Sequence, residues 1–250
     1  MSKLIDKLNQ ATKAVPQPMG FRAVQPSPAR LKPLLIASLT QPSSVTGADA
    51  VLITKFSGTQ QKIAQAFSSI PWGLWLENIS RRGIEPMVKA GCDFVVFPAN
   101  ATLAITQGAD KIGKILQVEA SLNEGLLKTG NELPIDAVFI IGEPGEKPSL
   151  TWHRLMLYQR FANLLNKPLL ATIPTKVSAN ELQLLWKSGI DGVVVEIGAR
   201  EPAARLVELR QQIDKLTFPA RKPGKVEALL PHITEETSTV IEEEEEEEEE

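Results

Sequence analysis

Gly47-Ala48-Asp49 stands directly before Ala50-Val51-Leu52-Ile53, Gly91-Cys92-Asp93 before Phe94-Val95-Val96-Phe97, and Gly189-Ile190-Asp191 before Gly192-Val193-Val194-Val195. A fourth apolar run, Ala137-Val138-Phe139-Ile140-Ile141, follows Pro134-Ile135-Asp136. The tripeptide reads as the end of a helix on a left-handed glycine, a turn, and the launch of a strand buried on both faces. Its return along one chain means that helices and strands alternate.

Eight strands follow from this reading: Leu34–Leu39, Ala50–Thr54, Trp72–Leu76, Phe94–Phe97, Ile115–Glu119, Ala137–Ile141, Leu169–Ile173 and Val193–Ile197. Between them Gln61–Ser69, Arg82–Ala90, Thr151–Leu165, Ala179–Lys187 and Pro202–Leu216 carry helical spacing. Pro202 suits a first helical turn and Ser178 an N-cap. The links around the fifth strand are short and carry glycine, so helices there are the weakest part of the pattern. Eight strands alternating with helices, joined right-handedly, predict a single-domain α/β fold, a (β/α)8 TIM-like barrel. The rival is an open doubly wound sheet, whose first turn is glycine-rich. Here Thr40-Gln41-Pro42-Ser43-Ser44 occupies that turn, which favours the barrel.

Composition agrees. A chain of 250 residues with 43% hydrophobic and only 5% aromatic residues supplies the aliphatic core that a parallel barrel needs. The single cysteine, Cys92, excludes an internal disulfide and a cysteine zinc cage, and its place beside a strand marks it as a structural thiol. Two histidines, His153 and His232, exclude multi-histidine metal sites. The net charge of −3 includes nine consecutive glutamates, Glu242–Glu250, so the rest of the chain carries +6. That excess is too diffuse to argue for nucleic acid and suits a small anionic metabolite. Apolar runs are strand-sized and the first one carries charges, so neither a membrane span nor a signal peptide is expected, and the location expected is cytoplasmic.

The flanks divide from the barrel. Residues 1–33 read as a helix, with Leu4, Ile5, Leu8 and Ala11 on one face, and then a proline-punctuated arm; this leader covers the bottom of the barrel or reaches a neighbouring subunit, or else is a partly ordered arm, and a homo-oligomer stays open. The barrel spans 34–216, an irregular extension 217–233, and a disordered acidic tail 234–250.

In such a barrel the reactive residues lie where strands end, on the C-terminal face. Those ends give Lys55, Glu77, Glu119, Glu143 and Glu196, a set of four glutamates and a lysine. Converging carboxylates hold Mg²⁺ or Mn²⁺ through oxygen, or raise one another's pKa and so create a general acid or base. Lysine among apolar neighbours can serve as a base or Schiff-base amine. Lys55, Glu77, Glu119 and Glu196 are therefore the candidate catalytic residues, and Glu119 with Glu143 the candidate metal ligands. Glu119 shares a strand face with Gln117, which predicts a polar lumen there. The competing reading for each glutamate is an ion pair with a neighbouring loop or a helix cap. Lys176, Gly198 and Arg200, after the seventh and eighth strands, are the candidate anion-binding residues, although no glycine-rich cradle accompanies them. Trp72, Trp75, Trp152 and Trp186 read as core, His153 as a cap or surface residue, and Arg81-Arg82 as a solvated loop.

Ala90-Gly91-Cys92-Asp93 and Ser188-Gly189-Ile190-Asp191 resemble the Ala-Gly-x-Asp turns of ribulose-phosphate-binding and related small-metabolite barrels. The resemblance covers most of 34–212 and implies the fold; these motifs lie at strand starts and carry no active site. Where those barrels have a glycine-rich phosphate loop, this chain has Glu196-Ile197-Gly198-Ala199-Arg200. Glu119 followed by Glu143 resembles metal-dependent aldolases of the citrate-lyase type. One of the acids expected there is displaced or absent, so that activity is not carried over. The function expected is a lyase, aldolase or isomerase acting on a small anionic carbonyl or phosphorylated metabolite at the rim. Two alternatives stay open: a non-catalytic ligand-binding or scaffold barrel, and a flavin- or phosphate-binding barrel.

Overall fold

Each aspartate that closes the recurring tripeptide grips the backbone at the base of the sheet. Asp49 Oδ2 accepts the Leu35 N–H at 2.9 Å, Asp136 Oδ2 that of Lys114 at 2.8 Å, and Asp191 Oδ2 that of Leu169 at 2.7 Å. In every case the aspartate's own N–H donates back to the carbonyl of that same residue. The carboxylate thus satisfies an orphan donor at the start of the preceding strand and fixes the register of its neighbour. Asp93 departs from the pattern and does something different, described below.

The computed structural model describes residues 2–12, 32–43, 45–55, 63, 65–76, 84–103, 111–142, 149–198 and 204–219. Its strands are β1 Leu34–Leu39, β2 Ala50–Ile53, β3 Trp72–Trp75, β4 Phe94–Pro98, β5 Gly113–Glu119, β6 Ala137–Ile141, β7 Leu169–Ile173 and β8 Gly192–Ile197. All neighbours pair in parallel, and β1 pairs with β8, so the ring closes in sequence order. This is the (β/α)8 barrel the sequence predicts, with strand ends displaced by two residues at most. The helices are α1 Lys3–Thr12, α2 Ile84–Lys89, α3 Glu124–Thr129, α4 Trp152–Leu164, α5 Ala179–Lys187 and α6 Ala204–Lys215. Helix α3 is the one the sequence pattern passed over; Asn123 caps it by accepting the Gly125 N–H. Ser178 caps α5 as expected, in a capping box with Glu181, and these bonds hold the Glu181 carboxyl below its ordinary pKa. Glycines 47, 91 and 189 have φ of 91°, 89° and 97°. At Gly189 the requirement is double, because an added Cβ would also lie 2.2 Å from the Ala162 Cβ.

Strand alternation divides the core into two shells. Outward residues such as Leu35, Val51, Leu74, Val95, Val138, Ala171 and Val193 pack beneath the helices. Inward residues, among them Ile36, Leu52, Phe94, Val96, Ile115, Phe139, Leu170 and Val194, fill the lumen. Leu4, Ile5 and Leu8 of α1 belong to this inner cluster and are almost wholly buried. The leader helix covers the barrel bottom, while the proline-punctuated arm after it, residues 13–31, lies outside the described residues. A small residue admits it: a Cβ on Gly113 would lie 2.6 Å from Ile5 Cγ1 and 2.8 Å from the Ser2 hydroxyl oxygen. Asp93 is the clasp. Its carboxylate accepts the Ser2 hydroxyl at 2.8 Å and the N–H groups of Lys3 and Leu4 at 2.7 and 2.9 Å. A negative charge is placed on the positive end of α1 and ties it to the base of β4.

The outer helices are tied in by other polar links. Arg210 of α6 bonds Asp49 at 2.8 Å and Asp214 at 2.5 Å, and Lys32 reaches Asp214 at 2.7 Å. Arg210, then Lys32, holds the Asp214 carboxyl far below the usual carboxylate range. The beginning of the C-terminal extension is ordered against the barrel: Trp186 Nε1 donates to the Pro219 carbonyl at 2.8 Å, and the Phe218 ring stands 5.6 Å from that of Trp186. The acidic tail lies outside the described residues, as does the helix start expected at Pro202. Cys92 is buried, and its thiol is pushed up to about 12, chiefly by desolvation, in keeping with a structural role.

Candidate functional site

Parallel strands place all their C-terminal ends at one end of the barrel, opposite α1. Inward-facing Ile115 and Val194 fix the phase of β5 and β8. Two and four residues beyond Ile115, Gln117 and Glu119 share its face, and two residues beyond Val194 so does Glu196. Glu119 pairs in register with Ile141, and Glu196 with Ser38. Since β6 and β7 intervene between β5 and β8, the two carboxylates border the mouth from different arcs of the ring. Both glutamates are exposed.

Lys55 and Lys176 lie just past the ends of β2 and β7, are exposed, and so stand at the same rim. Among the described residues none of these four charges has a hydrogen-bond or ion-pair partner, and the loops that could supply one, 77–83, 143–148 and 199–203, lie outside the described residues. Glu77, Glu143 and Arg200 lie outside the described residues. No group of three or more His, Cys, Asp and Glu side chains able to hold a metal occurs among the described residues. Gly198 follows β8 directly, and nothing lies within 4 Å of an ideal Cβ there, so no described atom forms a cradle around it.

Below the rim the lumen is closed. Phe139 on β6 meets Trp75 on β3 edge to face, with ring centroids 5.5 Å apart and planes at 72°. Phe94 fills the space over Gly73, where a Cβ would come within 2.4 Å of its ring. Among the described residues the lumen is thus filled up to the level of Phe139 and Trp75. Two polar atoms are stranded there. Trp75 Nε1 and Gln117 Oε1 are buried with no hydrogen-bond partner, a condition that costs about 1–3 kcal/mol per group unless something else supplies the bond. Sequence reasoning expected Trp75 in the core and Gln117 merely beside a polar lumen. The signal available was the inward phase of both residues, at the end of β3 and two residues before the end of β5.

The remaining tryptophans divide. Trp72 and Trp186 are core, as expected, while Trp152 is 75% exposed at the first turn of α4. Its helix turns that position outward, which corrects the core expectation. His153 beside it is exposed. Grooves of about 420 Å³ beside Met156 and Arg160 and about 430 Å³ beside Trp152 and Glu181 lie on the helical shell, the second at the first turns of α4 and α5.

No family model and no curated protein matches this chain. Solved structures do. A mutant tryptophan synthase alpha-subunit from the hyperthermophile Pyrococcus furiosus is similar at 14% identity, over 74% of this chain and 98% of that one, with a TM-score of 0.55. Tryptophan synthase from Mycobacterium tuberculosis is similar at 14% identity over 73% and 91%, with a TM-score of 0.56. The chain is a TIM barrel. At this identity the likeness is one of fold, and the function must be argued from the mouth itself. No helix among the described residues is long and apolar enough to cross a membrane.

Proposed function

We propose that the C-terminal mouth binds a small anionic carbonyl or phosphorylated metabolite and acts on it as a lyase, aldolase or isomerase. The observation that carries this is a pair of carboxylates, Glu119 and Glu196, facing one mouth from inward strand positions without a partner among the described residues, with Lys55 and Lys176 at its rim. Two carboxylates on different arcs of one mouth can reach both sides of a carbonyl compound, as proton transfer to and from it requires.

The lysine ammonium groups draw the anion to the rim. One glutamate takes a proton from the carbon beside the carbonyl, or from a hydroxyl as the adjoining carbon–carbon bond breaks. The electron pair then rests on the enolate, which takes a proton back from the glutamate that removed it or from water at the other glutamate. Return of the proton at a different carbon is isomerisation; protonation after cleavage is the aldolase or lyase outcome. The structural neighbours are by name parts of an enzyme, tryptophan synthase, which agrees with catalytic use of this mouth.

Proton NMR of small anionic carbonyl compounds in D₂O tests the reading. Deuterium should enter beside the carbonyl in the presence of the protein, and the rate should fall by about 10²–10⁴ in Glu119→Gln or Glu196→Gln. No exchange with any carbonyl acid or phosphate in the panel, or exchange that survives both substitutions, would refute it.

A further inference from the structure

We infer that Trp75 and Gln117 form a hydroxyl-binding floor beneath the mouth, so that the metabolite carries a hydroxyl next to its carbonyl. This rests on the mouth being the ligand site and adds the chemical class of what it takes. Both side chains border Phe139: Trp75 through the ring contact at 5.5 Å, and Gln117 as its register partner on the neighbouring strand. One buried donor, the indole Nε1–H, and one buried acceptor, Gln117 Oε1, thus flank a single apolar ring, and neither is satisfied among the described residues.

A carboxylate or phosphate would satisfy the indole but be repelled by the amide oxygen. An ammonium group would do the reverse, because an indole nitrogen can only donate. A hydroxyl does both through one atom, accepting from the indole and donating to the amide. Gln117 and Glu119 are two residues apart on one strand face, about 6.7 Å, which leaves a short carbon chain between a hydroxyl on the floor and a carbon within reach of the carboxylate. Recognition of this kind discriminates strongly, since a ligand lacking the hydroxyl leaves two buried groups unpaired.

The test uses the full chain labelled with ¹⁵N-tryptophan, which gives four indole N–H resonances, that of Trp75 being assigned by its loss in Trp75→Phe. The probes are ribose 5-phosphate and 2-deoxyribose 5-phosphate, which differ in the hydroxyl beside the carbonyl carbon. Ribose 5-phosphate should move the Trp75 resonance downfield and bind at least about tenfold more tightly than the deoxy sugar. Gln117→Met should abolish that preference while the deoxy sugar binds as before. Binding of both sugars with the Trp75 resonance unmoved, as a permanently held water would give, overturns the floor and leaves the mouth standing. An indole unmoved by either sugar at the highest soluble concentration also overturns the floor, and the mouth is then judged separately by deuterium exchange with its wider panel.

Discussion

Truncation of one side chain on α1 tests whether that helix is part of the barrel core. Leu8 is fully buried, lies in the inner cluster, and has its Cδ2 against the first residue of β8. Leucine-to-alanine changes at such sites cost about 2–5 kcal/mol, rising with the volume of the cavity that cannot collapse. Eight hydrogen-bonded strands around the site resist collapse, while α1, joined to the ring at one end of its length by Asp93, can settle inward. These opposing effects place Leu8→Ala at about 3–4 kcal/mol, or about 6–15 °C in Tm for a domain this size. Leu126→Ala, at a leucine 61% exposed on α3, should change stability by no more than about 0.5 kcal/mol. Urea unfolding followed by circular dichroism reads both, at constant denaturant slope. The same argument makes Asp93→Ala cost about 2 kcal/mol through the lost helix clasp, and makes the double variant less than additive, because a helix already released has less to lose. A Leu8→Ala loss under about 1 kcal/mol, indistinguishable from Leu126→Ala, would refute the packing of α1 in the lumen.

Gly73→Ala should destabilise by at least about 1–3 kcal/mol, because the new methyl would meet the Phe94 ring at 2.4 Å; Gly91→Ala, with nothing within 4 Å, should show only the strain of its φ of 89°. The Cys92 thiol should resist alkylation at pH 8 in the native protein and react at the rate of unfolding, since burial raises its pKa to about 12 from 9.0. The same shift means that its contribution to stability is complete below pH 9 and is lost as pH climbs toward 12. Asp214→Asn should flatten the acid limb of the stability curve: a carboxyl depressed by Arg210 and Lys32 contributes above its unfolded pKa, and the contribution fades as pH falls below about 4. Its half-exposed position keeps the effect within about 1 kcal/mol. Chemical denaturation across pH 2–7 measures it.

The fold was legible because each strand announces itself by an apolar run and three of the turns by a glycine whose conformation only glycine adopts easily. Gly47, Gly91 and Gly189 are left-handed as the pattern requires. What the aspartates do was not legible: that Asp49, Asp136 and Asp191 hold strand N–H groups while Asp93 holds α1 depends on which backbone lies nearby, a tertiary fact. Helix α3 was passed over because six residues are too few to show a helical period. Trp152 was misplaced because its bulk argues for burial while the phase of α4 turns it outward. At the site, period-two alternation put Glu119 on one strand face with Gln117, whereas the inward phase of Glu196 follows from the packing of Val194 in the lumen. Alternation could not say that Trp75 and Gln117 meet at Phe139, since that contact spans strands β3 and β6.

Methyl chemical-shift mapping tests the central claim, that the C-terminal mouth is the ligand site. With ¹³C-methyl labelling of Ile, Leu and Val, ribose 5-phosphate should perturb Ile141 and Val194 beneath the rim and leave Leu4 and Leu8 at the barrel bottom unmoved. Perturbation confined to Leu155, Leu164 and Leu184 on the outer helices, with Ile141 and Val194 unchanged, would contradict the claim.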